Sequence, residues 1–411
     1  MKKLSSGILL LIITTLSVGQ VKVEQFVYPA EFEEVDAIWM NWNISPFHTI
    51  GEPERIILQM TRKITLYAKM NMIVMNDSVK NVAIQSMLKF GVDTSRVKFY
   101  FYPRQNRFIR DFGPVFLRSN KGNLKGVDFN YNCFGECEAN SIKAARGSLD
   151  STIEKQLGLE IIKTVVNSEG GNREFNGKGT MLTVETVELH RNPNMTKKQL
   201  ETEYKRVLGV KKIIWLKSGA INDDKAQTGV LQCDIYGGGT GGHIDEICRF
   251  VDSHTILLAQ QLKKENVCDS ISQINFNRLE ENYAILKSST DQDGMPFKIV
   301  RIPAAAFEFD TVTVREENAS FFAGSHKGQT IKVLIASSYL NFIIANHIVL
   351  IPKYYREGGL LSTKQTDEEV LEIFQQVFHQ RKIVQIDVRE FNYGGGGMHC
   401  ATIQQPASNN K

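Results

Sequence analysis

The sequence predicts an α/β fold formed as one large domain. Short apolar strands alternate with amphipathic helices along all 411 residues, a pattern of mixed layers rather than of a sandwich or a helix bundle. Two threonines stand where they can cap helices. No Pro-rich or Ser-rich linker, low-complexity run or long block of like charge marks a boundary, although length alone sets a prior of two or three domains.

Residues 1–20 differ from the rest. Lys2 and Lys3 precede an apolar run over 8–16, and the small residues Ser17 and Gly19 follow. This order predicts a cleavable secretory signal, hence a secreted or periplasmic protein with a mature domain over 21–411. The run is too short to cross a bilayer; a buried first strand and a retained anchor are the alternatives. Strands are predicted over 35–42, 70–75, 97–102, 160–166, 212–216, 255–260, 330–336, 347–351 and 382–388, each a short apolar run or an alternation. Thr196 with Gln199, and Thr366 with Glu369, fit capping boxes and predict helices over 197–208 and 367–380.

With 42% hydrophobic and 23% charged residues the chain can bury a large core. Without Lys2 and Lys3, 47 basic residues face 45 acidic ones, a net charge near +2. That balance lacks the basic excess that nucleic-acid binding uses to displace counterions, and no later segment is apolar enough for a membrane span. The six cysteines, Cys133, Cys137, Cys233, Cys248, Cys268 and Cys400, have no regular spacing. In an exported chain one pair among the first five would be structural; a thiol that attacks must stay free. Zinc is disfavoured, because neither Cys133 with Cys137 nor Cys233 with His243 and Cys248 has a partner pair at structural-zinc spacing.

Three clusters point to chemistry. Cys400 follows four glycines in GGGGMHCAT (394–402), where a side-chain-free backbone lets a small substrate approach the sulfur. In GGGTGGHID (237–245), an extended backbone would turn His243 and Asp245 to one face with Ile244 packed behind, the alternative being a glycine turn into a strand whose polar side chains meet solvent. In NRFIRDFGPVFL (106–117), Asp111 sits among apolar residues and needs a cation, either Arg110 or a cationic substrate. Glu169 beside Gly170 and Gly171, and Asn341 after a predicted strand, are weaker signals. His399 adjoins Cys400, but neighbours in an extended segment face opposite ways, so His243 is the better candidate base.

Taken in order, these stretches resemble the agmatine deiminases and the related bacterial (Porphyromonas-type) peptidylarginine deiminases of the guanidine-modifying (pentein) superfamily. The resemblance spans about 28–406 and is carried by YPAEFEEVDAIWMNW (28–42), RDFGP (110–114), EGGN (169–172) with NGKGTMLTVE (176–185), RNP (191–193), GGHIDEICRFV (241–251), SSYLNFIIAN (337–346) and GGGGMHCATIQQP (394–406). It implies a five-bladed α/β propeller with a central site and no metal or organic cofactor. It also implies roles: Cys400 as nucleophile, His243 as general acid and base, Asp111 and Asp245 as the carboxylates gripping a guanidinium, Glu169 supporting the histidine, and Asn341 near the sulfur.

A guanidinium carbon is a poor electrophile, so two fixed carboxylates to orient it, a thiolate and a proton carrier form a coherent set. The implied reaction releases ammonia through a thiouronium intermediate, with agmatine as the default substrate and N-carbamoylputrescine as product. Alternatives are citrulline formation on protein or peptide arginine, deimination of free arginine, amidine transfer to an amine, and inactive binding of a guanidino ligand. The tail positions depart from the family pattern: Phe108 and Phe134 stand where agmatine deiminases typically carry tryptophans, and are the candidate tail-binding residues.

Overall fold

The computed structural model describes residues 24–42, 52–104, 107–135, 147–225, 227–232, 235–261, 270–316, 322 and 324–408. The predicted signal over 1–20 and cysteines 137, 233 and 268 lie outside them.

One hydrogen-bonding pattern recurs five times. In each unit a short strand runs antiparallel to a central strand, which runs parallel to a third. The first unit joins Thr402–Pro406 to Val35–Asn41 and Lys69–Val74, and adds Val97–Phe101. The second joins Phe116–Ser119, Leu124–Asp128 and Ile161–Lys163. Glu174–Phe175, Thr180–Val184 and Lys212–Leu216 form the third. The fourth is Cys248–Phe250, Thr255–Gln260 and Lys298–Pro303, and the fifth Ile343–Ala345, Ile348–Lys353 and Lys382–Asp387.

The connections follow from geometry, since an antiparallel pair closes with a tight turn while a parallel pair needs a crossover. Helices Glu52–Ile64, Leu149–Gln156, Lys197–Leu208, Ser270–Ser288 and Leu361–Val377 supply the five crossovers. Central strands covered by helices are buried on both faces, which is why IVLIPK (348–353) and TILLAQ (255–260) read as continuous apolar runs. Five mixed α/β units agree with the five-bladed propeller expected from the sequence. All nine predicted strands coincide with observed ones, though that over 160–166 shortens to Ile161–Lys163.

A further sheet stands outside the repeat. Its order is Gln227–Gln232, Ile235–Gly239, Thr330–Leu334, Phe309–Thr313. Only 330–336 among these was expected as a strand.

The two capping predictions divide. Thr196 and Gln199 form a reciprocal box, and Gly209 ends that helix at φ +67°. Thr366 caps nothing: its helix begins at Leu361, and the Thr366 hydroxyl bonds back to the Ser362 carbonyl within it. The added turn over 361–365 is largely exposed and the buried positions Asp367, Val370 and Phe374 all follow the threonine, so the early start is not set by burial.

Candidate active site

Each repeat contributes one polar segment immediately before its short first strand. Cys400 precedes Thr402–Pro406, Asp111 precedes Phe116–Ser119, Glu169 precedes Glu174–Phe175, His243 and Asp245 precede Cys248–Phe250, and Asn341 precedes Ile343–Ala345. Three of these segments are single 3-10 turns, Ile109–Asp111, Gly170–Asn172 and Ile244–Glu246, and they pack on one another. Five distant stretches of sequence thereby meet at one buried point.

The sulfur is held from several sides. Cys400 Sγ lies 3.1 Å from Asn341 Nδ2, 3.7 Å from Asp245 Oδ2 and 3.9 Å from Glu246 Oε1. Asn341 clamps the region: its Oδ1 accepts from the His399 amide at 2.8 Å and the Cys400 amide at 3.3 Å, and its Nδ2 donates to Glu246 Oε1 at 2.8 Å. A Cβ on Gly397 would sit 2.4 Å from that Oδ1, so a bare backbone is required there.

His243 does not reach the site as part of a strand. Its φ of −62° and ψ of 153° cap the Ile244–Glu246 turn, and Asp223 anchors the approach by accepting from the amides of Thr240 at 2.7 Å and His243 at 2.8 Å. The imidazole lies between two acids, Nε2 3.3 Å from Glu169 Oε2 and Nδ1 3.6 Å from Asp111 Oδ1. Gly171 allows this contact, because a Cβ there would lie 2.5 Å from Nδ1; its amide donates to Asp111 Oδ1 at 3.1 Å. Arg191 holds Glu169 from behind at 3.0 Å.

Arg110 is not the partner of Asp111. It pairs with Glu31 and donates to Gln404 and to the His399 carbonyl. His399 likewise turns away from the sulfur, with Nδ1 2.7 Å from Asp245 Oδ2 and Nε2 2.9 Å from Glu31 Oε2. Two ionised carboxylates facing both ring nitrogens need an N–H on each. The ring therefore carries two protons, although burial, then Arg110 and Arg249, push its pKa down.

These environments separate the titrations. Burial works to lower the His243 pKa, but Asp111, then Glu169 and Asp245, outweigh it and raise it to about 9. Burial raises Asp111 to about 6, against the pull of His243. Burial also pushes the Cys400 thiol well up, and Asp245, Glu246 and Asp111 add to it. Glu246 is held well above the usual carboxylate range by burial beside Asp245 and Asp223. Asp245 opposes its own burial through His399 and His243 and stays low. The resting pair is thus a neutral thiol and an imidazolium.

Cys400 and Asp111 open into a cavity of about 510 Å³ whose walls include Phe108, Phe134 and Tyr393. Phe134 meets the His243 ring edge-on at 6.0 Å. Cys133, just before it, is disulfide-bonded, whereas Cys248 and Cys400 are free. The sequence reading thus gathered Cys400, His243, Asp245, Asp111, Glu169, Asn341, Phe108 and Phe134 at one site. It missed Glu31, Arg191, Asp223, Glu246 and Arg249, which hold the others; all but Asp223 lie inside strings that carry the resemblance, but no spacing marks their part. Asp245, Glu246 and Cys400 have ligand atoms within 4.8 Å of one another, the nearest approach to a metal site among the described residues.

A model of the Porphyromonas-type peptidyl-arginine deiminase family matches residues 27–406. The chain belongs to that family. Within it, the chain is 27% identical over 398 residues to the agmatine deiminase of Pseudomonas syringae pv. syringae (strain B728a), covering 94% of this chain and 97% of the relative. It is 27% identical over 406 residues to that of Medicago truncatula, covering 93% and 96%. The structure of the agmatine deiminase of Enterococcus faecalis superposes with a TM-score of 0.72 at 24% identity, covering 93% of this chain and 96% of that one, and shares the fold. The family resemblance read from the sequence therefore holds.

Proposed function

We propose that this deiminase hydrolyses agmatine to N-carbamoylputrescine and ammonia, with Cys400 as nucleophile. One observation carries the reading: a buried thiol lies 3.7 Å from Asp245 Oδ2, while the other Asp245 oxygen, Oδ1, has no hydrogen-bond partner among the described residues. A buried unpaired carboxylate oxygen costs roughly 1–3 kcal/mol, and a planar guanidinium N–H is the donor that fits it. The agmatine deiminases of Pseudomonas syringae and Medicago truncatula support the choice of substrate.

On this reading the substrate completes the electrostatics. Its cation, gripped by Asp111 and Asp245, cancels the carboxylate repulsion that keeps the Cys400 proton on, so binding favours the thiolate. The thiolate attacks the guanidinium carbon and forms a C–S bond. His243, protonated below about 9, gives its proton to the departing nitrogen as the C–N bond breaks, releasing ammonia and leaving an S-alkylthiouronium. The same imidazole, now neutral, takes a proton from water as the oxygen adds to that carbon; the C–S bond then breaks as the proton of the new hydroxyl passes to the sulfur, leaving a neutral ureido product and the resting thiol beside an imidazolium. Glu169, backed by Arg191, orients the ring throughout.

Deimination of peptidyl arginine is the second reading. The family's own description favours it, and so does the cavity: no Lys or Arg lines it among the described residues, so the carboxylate of free arginine would be buried unpaired while a peptide amide would not. We place the protein outside the cytoplasm, on the expected signal over 1–20 and the Cys133 disulfide. Incubating the protein expressed from the full reading frame, recovered after processing, with agmatine, arginine and an arginine peptide separates the readings. Carbamoylputrescine with equimolar ammonia supports the first; citrulline confined to the peptide replaces it with the second; and neither product from any of the three sinks both.

A further inference from the structure

Asp310 belongs to the sheet outside the five repeats, and it is the acidic side chain that this sheet brings to the cavity holding Cys400 and Asp111. Resting on the agmatine reading, we propose that Asp310 binds the distal cation of the substrate, so that the chain selects guanidines bearing a positive charge at the other end of a short apolar tether.

Strand alternation puts Asp310 and Val312 on one face of Phe309–Thr313, and both line the cavity. Its register partner on the neighbouring strand is Val333, which lines the cavity too. The nearest candidate cation in the sheet, Lys332, is opposite Thr311 instead, and its ammonium lies 4.0 Å over the Phe309 ring on the other face. Asp310 therefore makes no ion pair among the described residues, its one hydrogen bond being from the Thr311 amide at 2.7 Å. Much of the rest of the lining is apolar, with Phe134, Phe322, Val333 and Leu334, beside the polar Thr240 and Asn392. Two carboxylates, Asp111 and Asp310, in one largely apolar cavity that no Lys or Arg lines among the described residues match a molecule with two cations joined by a greasy tether. Asp310 is exposed, so it is tolerant of replacement and its attraction is modest.

The test compares agmatine with n-butylguanidine, which keeps the guanidinium and tether and lacks the amine, on the native protein and on Asp310→Asn. The expected result is a KM for agmatine raised about three- to tenfold in the variant, with kcat little changed and butylguanidine kinetics unaltered. The native preference for agmatine should shrink by the same factor, and 4-guanidinobutanoate should improve in Asp310→Lys. Equal changes for both substrates, or none, would overturn the assignment while leaving the deiminase reading intact. If the native protein releases ammonia from neither, the deiminase reading fails and the assignment falls with it.

Discussion

The two ends of the cavity are built by different rules. At the reacting end almost every polar atom is fixed by another part of the chain: Asp111 by the Gly171 amide, Glu169 by Arg191, Asp245 by His399, and Asn341 by the His399 and Cys400 backbone. Away from it the wall is mostly aromatic and aliphatic, partly on a sheet that belongs to no repeat and that brings Asp310. Chemistry that depends on tenths of an ångström is carried by five repeated units locked together. Selection of the tail is left to a surface where one side chain can change without disturbing the charges behind it.

The largest effect should come from the sulfur. Cys400→Ser is expected to lose roughly 10⁴-fold or more in kcat while still binding agmatine by calorimetry; a rate within about tenfold of native would dissolve the contrast between the ends. Next, His399→Ala touches neither the proposed nucleophile nor the cavity wall, yet should lower kcat/KM by about 10- to 100-fold, the range for losing a group that orients a ligand-holding side chain. Because His399 helps keep Asp245 ionised, the acidic limb of the pH profile should also move upward, which simple loss of packing would not produce.

The native profile is itself a test. Asp111 must be ionised to grip a cation, so kcat/KM should fall as pH drops through about 6. His243 must be protonated to donate, so kcat, in which bound substrate has already drawn the proton off the thiol, should fall as pH rises through about 9. In kcat/KM the free thiol, held well up, must also ionise, so its rise continues to that pH before levelling; a kcat still climbing at pH 10 in stopped-time ammonia assays would assign the proton carrier elsewhere. The smallest effect belongs to the tail: Phe108→Trp should shift the KM for agmatine by less than about tenfold and leave kcat alone. A collapse of kcat would mean that the wall and the reacting end are not separable.

Much of this site was legible before folding because its residues are chemically unusual where they stand. Four glycines before Cys400, or a lone Asp111 in an apolar stretch, need an explanation that a surface Lys does not. What stayed hidden were the residues whose work is pairing. Glu31 binds Arg110, Arg249 and His399, partners between 79 and 368 positions away in sequence, and no local pattern encodes such a meeting. The same blindness explains His399. Reasoning from alternation rightly removed it from the sulfur, but only the fold sets it against Asp245. His243 and Asp245 converge as foreseen by a different route, through a 3-10 turn anchored by Asp223, because tertiary contacts rather than strand period set their directions. The strands of the repeats were easy to read because burial on both faces leaves long apolar runs; of the extra sheet only 330–336 was, since a strand such as FDTVT (309–313) is largely exposed and carries no such run.

The pairing of Trp39 with Ile403 has a temporal side. Strand Val35–Asn41 has one neighbour from nearby sequence and must wait for its second until Thr402–Pro406 emerges, leaving a buried-type edge uncovered while the intervening chain is made. Contacts of such long separation slow folding and expose sticky intermediates. The thiol arrives with that closing strand, so a nascent polypeptide that still lacks it has no sulfur to turn on the guanidines around it.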